Sequence, residues 1–375
     1  MPLLDDAVGW LTDRLRWFDP AEWDRFLPPR PFPGGTALEL LVLCRVLRRG
    51  RFRDHPLPDK ALDLASSIVE SRSFLSGLCR ADQAFPYHAY LVALLEDAGR
   101  PAPLARERIL DVLAAESGDH EGAWRPVQHR CELRYVLELG GFPTRIPDLV
   151  GQSIVAGSPD PLFLRDDEAY ALTHVVFYAT DFGTRPMPGI RGLTDLLRVL
   201  AGSYLAAGNL DLAGELLLCL TTLGASCPVT THGFRVLSDT QRPDGAVPGP
   251  LHDPARWSAL RGDAAEAYLF GTCHHTTMVA AMAAAERERV GGTSSASPEP
   301  LGLLHPSRPP LPDVVPDSPW WGTVLSSLAV HAVRTYDLDT LRTVLRHAEA
   351  LDLADEPVLR RAAAYLRLAS KPPRR

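Results

Sequence analysis

The 375-residue chain has no uninterrupted apolar stretch near the roughly 20 residues that cross a bilayer. It has no basic excess either: 39 Lys+Arg stand against 46 Asp+Glu, a formal net charge of −7 with a pI near 6.0. Phosphate neutralisation needs a Lys/Arg surplus, so neither nucleic acid nor an anionic membrane is the expected partner. The opening MPLLDDAVGWLTDRLRWF lacks the basic region and unbroken apolar run of a secretory signal. The six cysteines (Cys44, Cys79, Cys131, Cys219, Cys227, Cys273) follow no disulfide-framework spacing. Together these absences predict a reduced, cytoplasmic protein. A glycine-rich phosphate loop, a nucleophile elbow and an HExxH pair are also missing, so no short motif names a reaction.

What the chain does have is alternation. Nearly all-apolar segments (Thr36–Arg49, Tyr87–Ala98, Val127–Leu139, Asp167–Phe182, Leu210–Leu223) are followed by one-sided ones (Asp59–Arg72, Leu104–Glu116, Ile146–Val155, Ile190–Ala207, Thr230–Thr240). The first kind suits a helix surrounded by protein, the second a helix with one wet face. Glycines close the apolar segments at Gly50, Gly99, Gly140, Gly183 and Gly224, spaced 49, 41, 43 and 41 residues apart. Glycine ends helices because the residue after the last turn takes the left-handed conformation, and the even spacing is a repeat. A sixth apolar helix is expected over Ala267–Arg287, then a flexible Pro/Ser-rich connection over residues 290–319. Three further helices (Trp320–Thr335, Leu338–Leu351, Pro357–Leu368) end the chain. Six inner helices alternating with outer ones predict an all-α, single-domain (α/α)6 toroid over residues 1–375. An open solenoid of helical hairpins would show the same alternation.

The segment Ala171–Gly183, ALTHVVFYATDFG, carries the most chemistry. His174, Tyr178 and Asp181 fall at i, i+4 and i+7, one helical face, so His174 is the leading acid/base candidate with Asp181 as its orienting carboxylate. His88 and His129 open the second and third inner helices, and Cys273, His274 and His275 open the sixth. If the inner helices run parallel, these histidines gather at one end of the ring. His88 and His129 each precede their stopping glycine by 11 residues and His174 by 9; two residues rotate a side chain by about 200°, so convergence is not required. A histidine at a helix start is also an ordinary capping or core residue.

Gln241-Arg242-Pro243-Asp244-Gly245 resembles the Q-x-x-D-G turn of terpenoid cyclases and related toroids, where it ties helix ends together. Cys273-His274 resembles the zinc-binding Cys-His pair of lanthionine cyclases, with His275 beside it and Cys227 lying 46 residues upstream as a further thiolate. The Trp-Cys-x-Gly context of that family is absent, Cys227 being flanked as Ala-Ser-Cys-Pro. Protein prenyltransferase β subunits also bind zinc in a toroid, but their ligand spacing is not reproduced. Asp337-Leu338-Asp339-Thr340 is similar to the Asp-x-Asp-Asp acid motif of class II terpene cyclases, although Asp339 reads more simply as an N-cap. Trp320-Trp321 could roof a cavity or merely pack. The Ala-, Arg- and Pro-rich composition and the Thr-His-x-x-x-Tyr pattern at Thr173 also look like actinobacterial toroid proteins without an assigned substrate. The resemblance implies the six-hairpin toroid fold and a biosynthetic enzyme of cyclase or lyase type. It would act on a small-molecule or peptide substrate by acid/base or zinc-assisted chemistry. The alternative is a non-catalytic helical ring that binds a peptide or partner protein.

Overall fold

A helix that is apolar on all sides has to be enclosed, and the arrangement of this chain follows from enclosing six of them. The computed structural model describes residues 2–79, 83–115, 125–187, 189–225, 227–291, 300–307, 311 and 318–371, and these contain α-helices and 3-10 turns but no strand. The first eight helices are α1 (Pro2–Asp13), α2 (Pro20–Phe26), α3 (Gly35–Leu47), α4 (Pro56–Val69), α5 (Arg72–Leu78), α6 (Phe85–Asp97), α7 (Pro103–Ala115) and α8 (Val127–Leu139). Then come α9 (Asp166–Thr180), α10 (Leu193–Ala207), α11 (Leu210–Thr222), α12 (Pro228–Thr240), α13 (Pro254–Ser258) and α14 (Gly262–Arg289). Helices α15 (Trp321–Arg334), α16 (Leu338–Ala350) and α17 (Pro357–Ala369) complete the set.

The helices expected to be inner ones are each other's neighbours. Helix α3 packs on α6, α6 on α8, α8 on α9, α9 on α11, α11 on α14, and α14 on α3. Helix α1 covers α14, α4 covers α3 and α6, α5 and α7 lie on α6, and α10 and α12 lie on α11. The C-terminal α15 packs on α10, with α16 and α17 against α15. Local signals start these helices where the sequence suggests: Asn209 caps α11 by accepting from Leu212 N, and Asp19 caps α2 ahead of Pro20. Three stopping glycines adopt positive φ (Gly99 77°, Gly183 90°, Gly224 65°), whereas after α8 it is Gly141 rather than Gly140 that does so.

Several expectations change. The outer helix over Ile146–Val155 does not form; only a 3-10 turn, Val150–Gln152, interrupts extended chain there. Pro143 and Pro147 bias their predecessors away from helix and remove amide donors, yet Ile146, Leu149 and Val155 are still buried. The opening helix stops at Asp13 and a 3-10 turn, Leu15–Phe18, swings Trp17 and Phe18 onto Phe270. Within the supposed flexible connection, residues 292–299, 308–310 and 312–317 lie outside the described residues. Its described centre, Leu301–Leu304, is anchored instead, with Leu301 and Leu304 fully buried and the turn seated against α10, α12 and α15. In the C-terminal acidic motif Asp337, not Asp339, caps α16; Asp339 pairs with Arg342. Trp321 is buried as α15 begins and lines none of the cavities described below.

The Gln241–Gly245 turn does tie elements together. Gln241 Nε2 donates to Leu3 O at 3.1 Å and to Gly245 O at 2.8 Å, fastening the end of α12 to α1. Gly245 has φ +97°, and a Cβ there would stand 2.3 Å from the carbonyl oxygen of Asp6. Gly245→Ala is therefore expected to destabilise the protein by about 2–3 kcal/mol through strain and backbone displacement. Urea unfolding with an unchanged slope and a lowered midpoint would show it.

Candidate functional site

The six mutually packed helices enclose a cavity of about 770 Å3. Helix α9 turns Tyr170, His174 and Tyr178 into it, α14 His275 and Met278, α11 Glu215, α8 His129 and Glu132, α6 Tyr87 and Tyr90, and α3 Glu39. The volume lies in the range of small-ligand sites, and the lining combines aromatic faces with a few ionisable groups.

Its densest polar cluster joins α9, α11 and α14. Asp211 Oδ1 accepts from His275 Nδ1 at 2.8 Å and from Thr276 Oγ1 at 2.7 Å, and Asp211 Oδ2 accepts from Tyr170 Oη at 2.5 Å. Glu215 lies one helical turn further along α11, and its Oε2 accepts from Thr173 Oγ1 at 2.5 Å. Its other oxygen faces two imidazoles, 3.8 Å from His174 Nε2 and 4.0 Å from His275 Nε2. These separations exceed a hydrogen bond, and a polar ligand atom at about 2.8 Å from each would bridge them. The α11 and α14 backbones approach closely because residue 214 is glycine; a Cβ there would stand 2.8 Å from Val279 Cγ1.

Electrostatics settle the charge states. Burial opposes protonation of His275, but the Asp211 carboxylate on its Nδ1 outweighs it and lifts the pKa to about 10, so the ring is an imidazolium at neutral pH. Burial would raise Asp211, yet His275 and the two hydroxyl donors hold it below the usual carboxylate range. Burial also works against His174, and the Glu215 carboxylate, helped by Glu132, more than offsets it, raising the pKa. The His174 and His275 side chains are 44% and 36% exposed although helices pack on both sides of α9 and α14, because what they face is the cavity. Asp211 thus holds the His275 ring charged and oriented, directing its Nε2–H into the cavity.

The residues singled out from sequence are dispersed. His174, Tyr178, His129 and His275 line the cavity. Asp181 does not orient His174. It caps α9 in a left-handed conformation (φ 47°) and is held by Arg45 at 2.5 and 3.2 Å, Tyr135 at 2.8 Å and Thr184 at 2.5 Å. Those donors hold its pKa low in spite of burial. It lines a separate cavity of about 310 Å3 at the C-terminal ends of α3, α6 and α9, whereas the next residue, Phe182, still lines the main one. His88 is a core residue wedged between Phe32 and Phe74 (ring centroids 4.7 and 4.8 Å) with Nδ1 on Ala84 O.

The thiolate–imidazole zinc set is not assembled. His274 donates from Nδ1 to Phe270 O, takes Arg30 at Nε2 and stacks on Phe270, and burial drops its pKa to about 3. Cys273 is buried beside Thr272, and Cys227 opens α12 with its amide on Thr230 Oγ1. Among the described residues the one group with metal-ligand proximity is Asp211, Glu215 and His275, whose ligand atoms lie within 4.8 Å of one another. Asp211 already accepts three hydrogen bonds there, and His275 is protonated, so the trio fits a proton-handling site better than a cation cage.

Asp211, Glu215, Tyr170 and Glu132 were not found from sequence. A signal existed: Asp211 and Glu215 are four residues apart in an otherwise apolar segment, and two carboxylates on one face of an enclosed helix need partners.

The sequence belongs to a known family. A domain of unknown function, DUF6895, matches residues 4–285, well over half the chain, and the protein belongs to that family. The match runs from α1 through nearly all of α14, so it contains the whole cluster and leaves out α15–α17. No curated protein and no solved structure matches.

Because its folded-state pKa is raised, His275 contributes stability that is complete below about pH 6.5, its ordinary value, and fades as pH climbs through about 10. Imidazole NMR should show one histidine still protonated at pH 8. Asp211→Ala should bring that titration down and cost about 3 kcal/mol, since it strands a buried partner.

Proposed function

We propose that the chain is a closed (α/α)6 toroid whose lumen is the active site of an enzyme of acid/base, cyclase or lyase type. The cyclic order of contacts from α3 round to α14 and back supports the closed ring, and the enclosed cavity supports a small-molecule substrate. One observation carries the catalytic reading: an imidazolium, a carboxylate oxygen and a second imidazole converge on one gap at 3.8–4.0 Å. In this reading His275 Nε2–H, kept charged by Asp211, is the general acid or the electrostatic stabiliser of developing negative charge. Glu215 Oε1 accepts the substrate proton, and His174 relays it. The zinc-assisted variant has no assembled thiolate set behind it. The non-catalytic alternative, a ring that binds a partner, would use the same groups as a rigid polar network.

Small-angle scattering should give a radius of gyration of about 21 Å for a closed ring of this length, and an elongated particle would favour the solenoid. Incubation with fractionated cell extract, followed by mass spectrometry, should reveal a metabolite consumed by the wild type. Its consumption should fall roughly 100-fold or more in Glu215→Gln and His275→Gln. Consumption unaffected by both substitutions would sink the catalytic reading, and retention of a metabolite without conversion would favour the binding ring.

A further inference from the structure

Beside Tyr178, the α6–α8 side of the lumen contains a buried carboxyl group that no ion pair holds. Glu132 is 8% exposed, and its Oε1 accepts from Tyr178 Oη at 2.8 Å. Among the described residues no Lys, Arg or His forms an ion pair with it. Of the basic groups that share the cavity, His174 feels the Glu132 charge only across space, and Arg30 and His275 are engaged elsewhere. Arg30 lies 4.2 Å over the Trp23 ring and 3.7 Å from Glu39, and His275 is held by Asp211. A buried carboxylate with one neutral donor is unfavourable unless a cation completes it.

A second, independent feature points the same way. Tyr90 lines the same cavity and is 4% exposed; its buried hydroxyl interacts as a donor with the Tyr135 hydroxyl, and its oxygen accepts from no group. Tyr87 stands nearby, its phenol pushed up to about 12 by the Glu132 charge and by burial, so it stays neutral and offers a π face. A carboxylate, a hydroxyl oxygen that accepts from no group and neutral aromatic faces are the complement of an ammonium group, which supplies both charge and N–H donors.

We propose that this corner of the lumen is the binding subsite for a primary ammonium group, which makes the ligand an organic amine with an apolar body. The inference deepens the reading of the lumen as a substrate site but does not depend on the proton transfer assigned to Glu215 and His275. The ammonium would sit on Glu132, donate to Tyr90 Oη and rest against Tyr87 and Tyr178, leaving the rest of the molecule to reach across the lumen toward α11 and α14.

The probes are 2-phenylethylamine, the neutral 2-phenylethanol of similar shape, and the anionic phenylacetate, each titrated calorimetrically into the full chain at pH 7. The amine alone should bind saturably at millimolar concentration or below. Glu132→Gln should weaken it at least roughly tenfold, and Tyr90→Phe by a few-fold. Without ligand, Glu132→Gln should melt at the wild-type temperature or above, since it removes an unpaired buried charge while keeping an acceptor for Tyr178. Tyr90→Phe, which deletes one hydroxyl and leaves Tyr135 its bond to Asp181, provides a folded variant in either case. Alcohol or anion binding as tightly as the amine, no saturable amine binding, or amine binding indifferent to Glu132→Gln would overturn the proposal. Amine binding that survives while all turnover assays fail would separate the failure of the catalytic reading from that of this one.

Discussion

Two carboxylates on a helix with no wet face impose the central constraint on this structure. Helix α11 is buried from Leu210 to Thr221, yet it carries Asp211 and Glu215, and neither can reach bulk water. An isolated charge there would be prohibitive, so the neighbouring helices must supply donors. Helix α14 brings His275 and Thr276, α9 brings Tyr170 and Thr173, and Gly214 lets α11 and α14 come close enough for Asp211 to be shared. The same contacts that neutralise the carboxylates fix the mutual register of three helices. Packing and site chemistry are therefore one set of interactions, and the network specifies the geometry as much as it stabilises it.

The second constraint separates the two ends of the helical set. At the C-terminal ends of α3, α6 and α9, Arg45, Arg49, Tyr135 and Thr184 converge on Asp181 and on the carbonyls of Asp181 and Phe182. Both residues hold left-handed conformations (φ 47° and 52°) that non-glycine residues seldom adopt, and the guanidinium groups explain how they are held. Tyr135 stacks on Tyr178 at 5.1 Å and stands edge-on to Tyr90 at 5.7 Å, so aromatic rings lie between this ion cluster and the lumen. The lumen is left with imidazolium and carboxylate groups on its α11–α14 side and phenols with Glu132 on its α6–α8 side. An asymmetric lining of this kind orients a ligand that carries a different group at each end.

Helix existence and burial were readable from sequence because they depend on local periodicity. Val127–Leu139 emerges with the expected bounds and most others within a few residues, since apolar runs, caps and stopping glycines act over one or two turns. The turn at Gln241–Gly245 was readable for the same reason. The failures also have local causes: Pro143 and Pro147 defeat the amphipathic pattern of Ile146–Val155, and Leu301 and Leu304 find a groove that composition alone does not reveal.

The chain by itself determined that the protein is helical, where most of its helices begin and end, and that His174 and Tyr178 share a face. Side-chain period and backbone propensity are properties of neighbouring residues, so one dimension suffices for them. Only the tertiary structure decided which polar groups meet. His174 faces Glu215, 41 positions further along the chain, rather than Asp181 seven residues away, because α9 ends in a left-handed turn that carries Asp181 to the arginines of α3. His274 and His275 are adjacent in sequence, yet one is a neutral core ring near pKa 3 and the other an imidazolium near 10. A single residue step rotates a helical side chain by about 100°, enough to exchange an aromatic core for a carboxylate, and only the packed neighbours determine what lies in each direction.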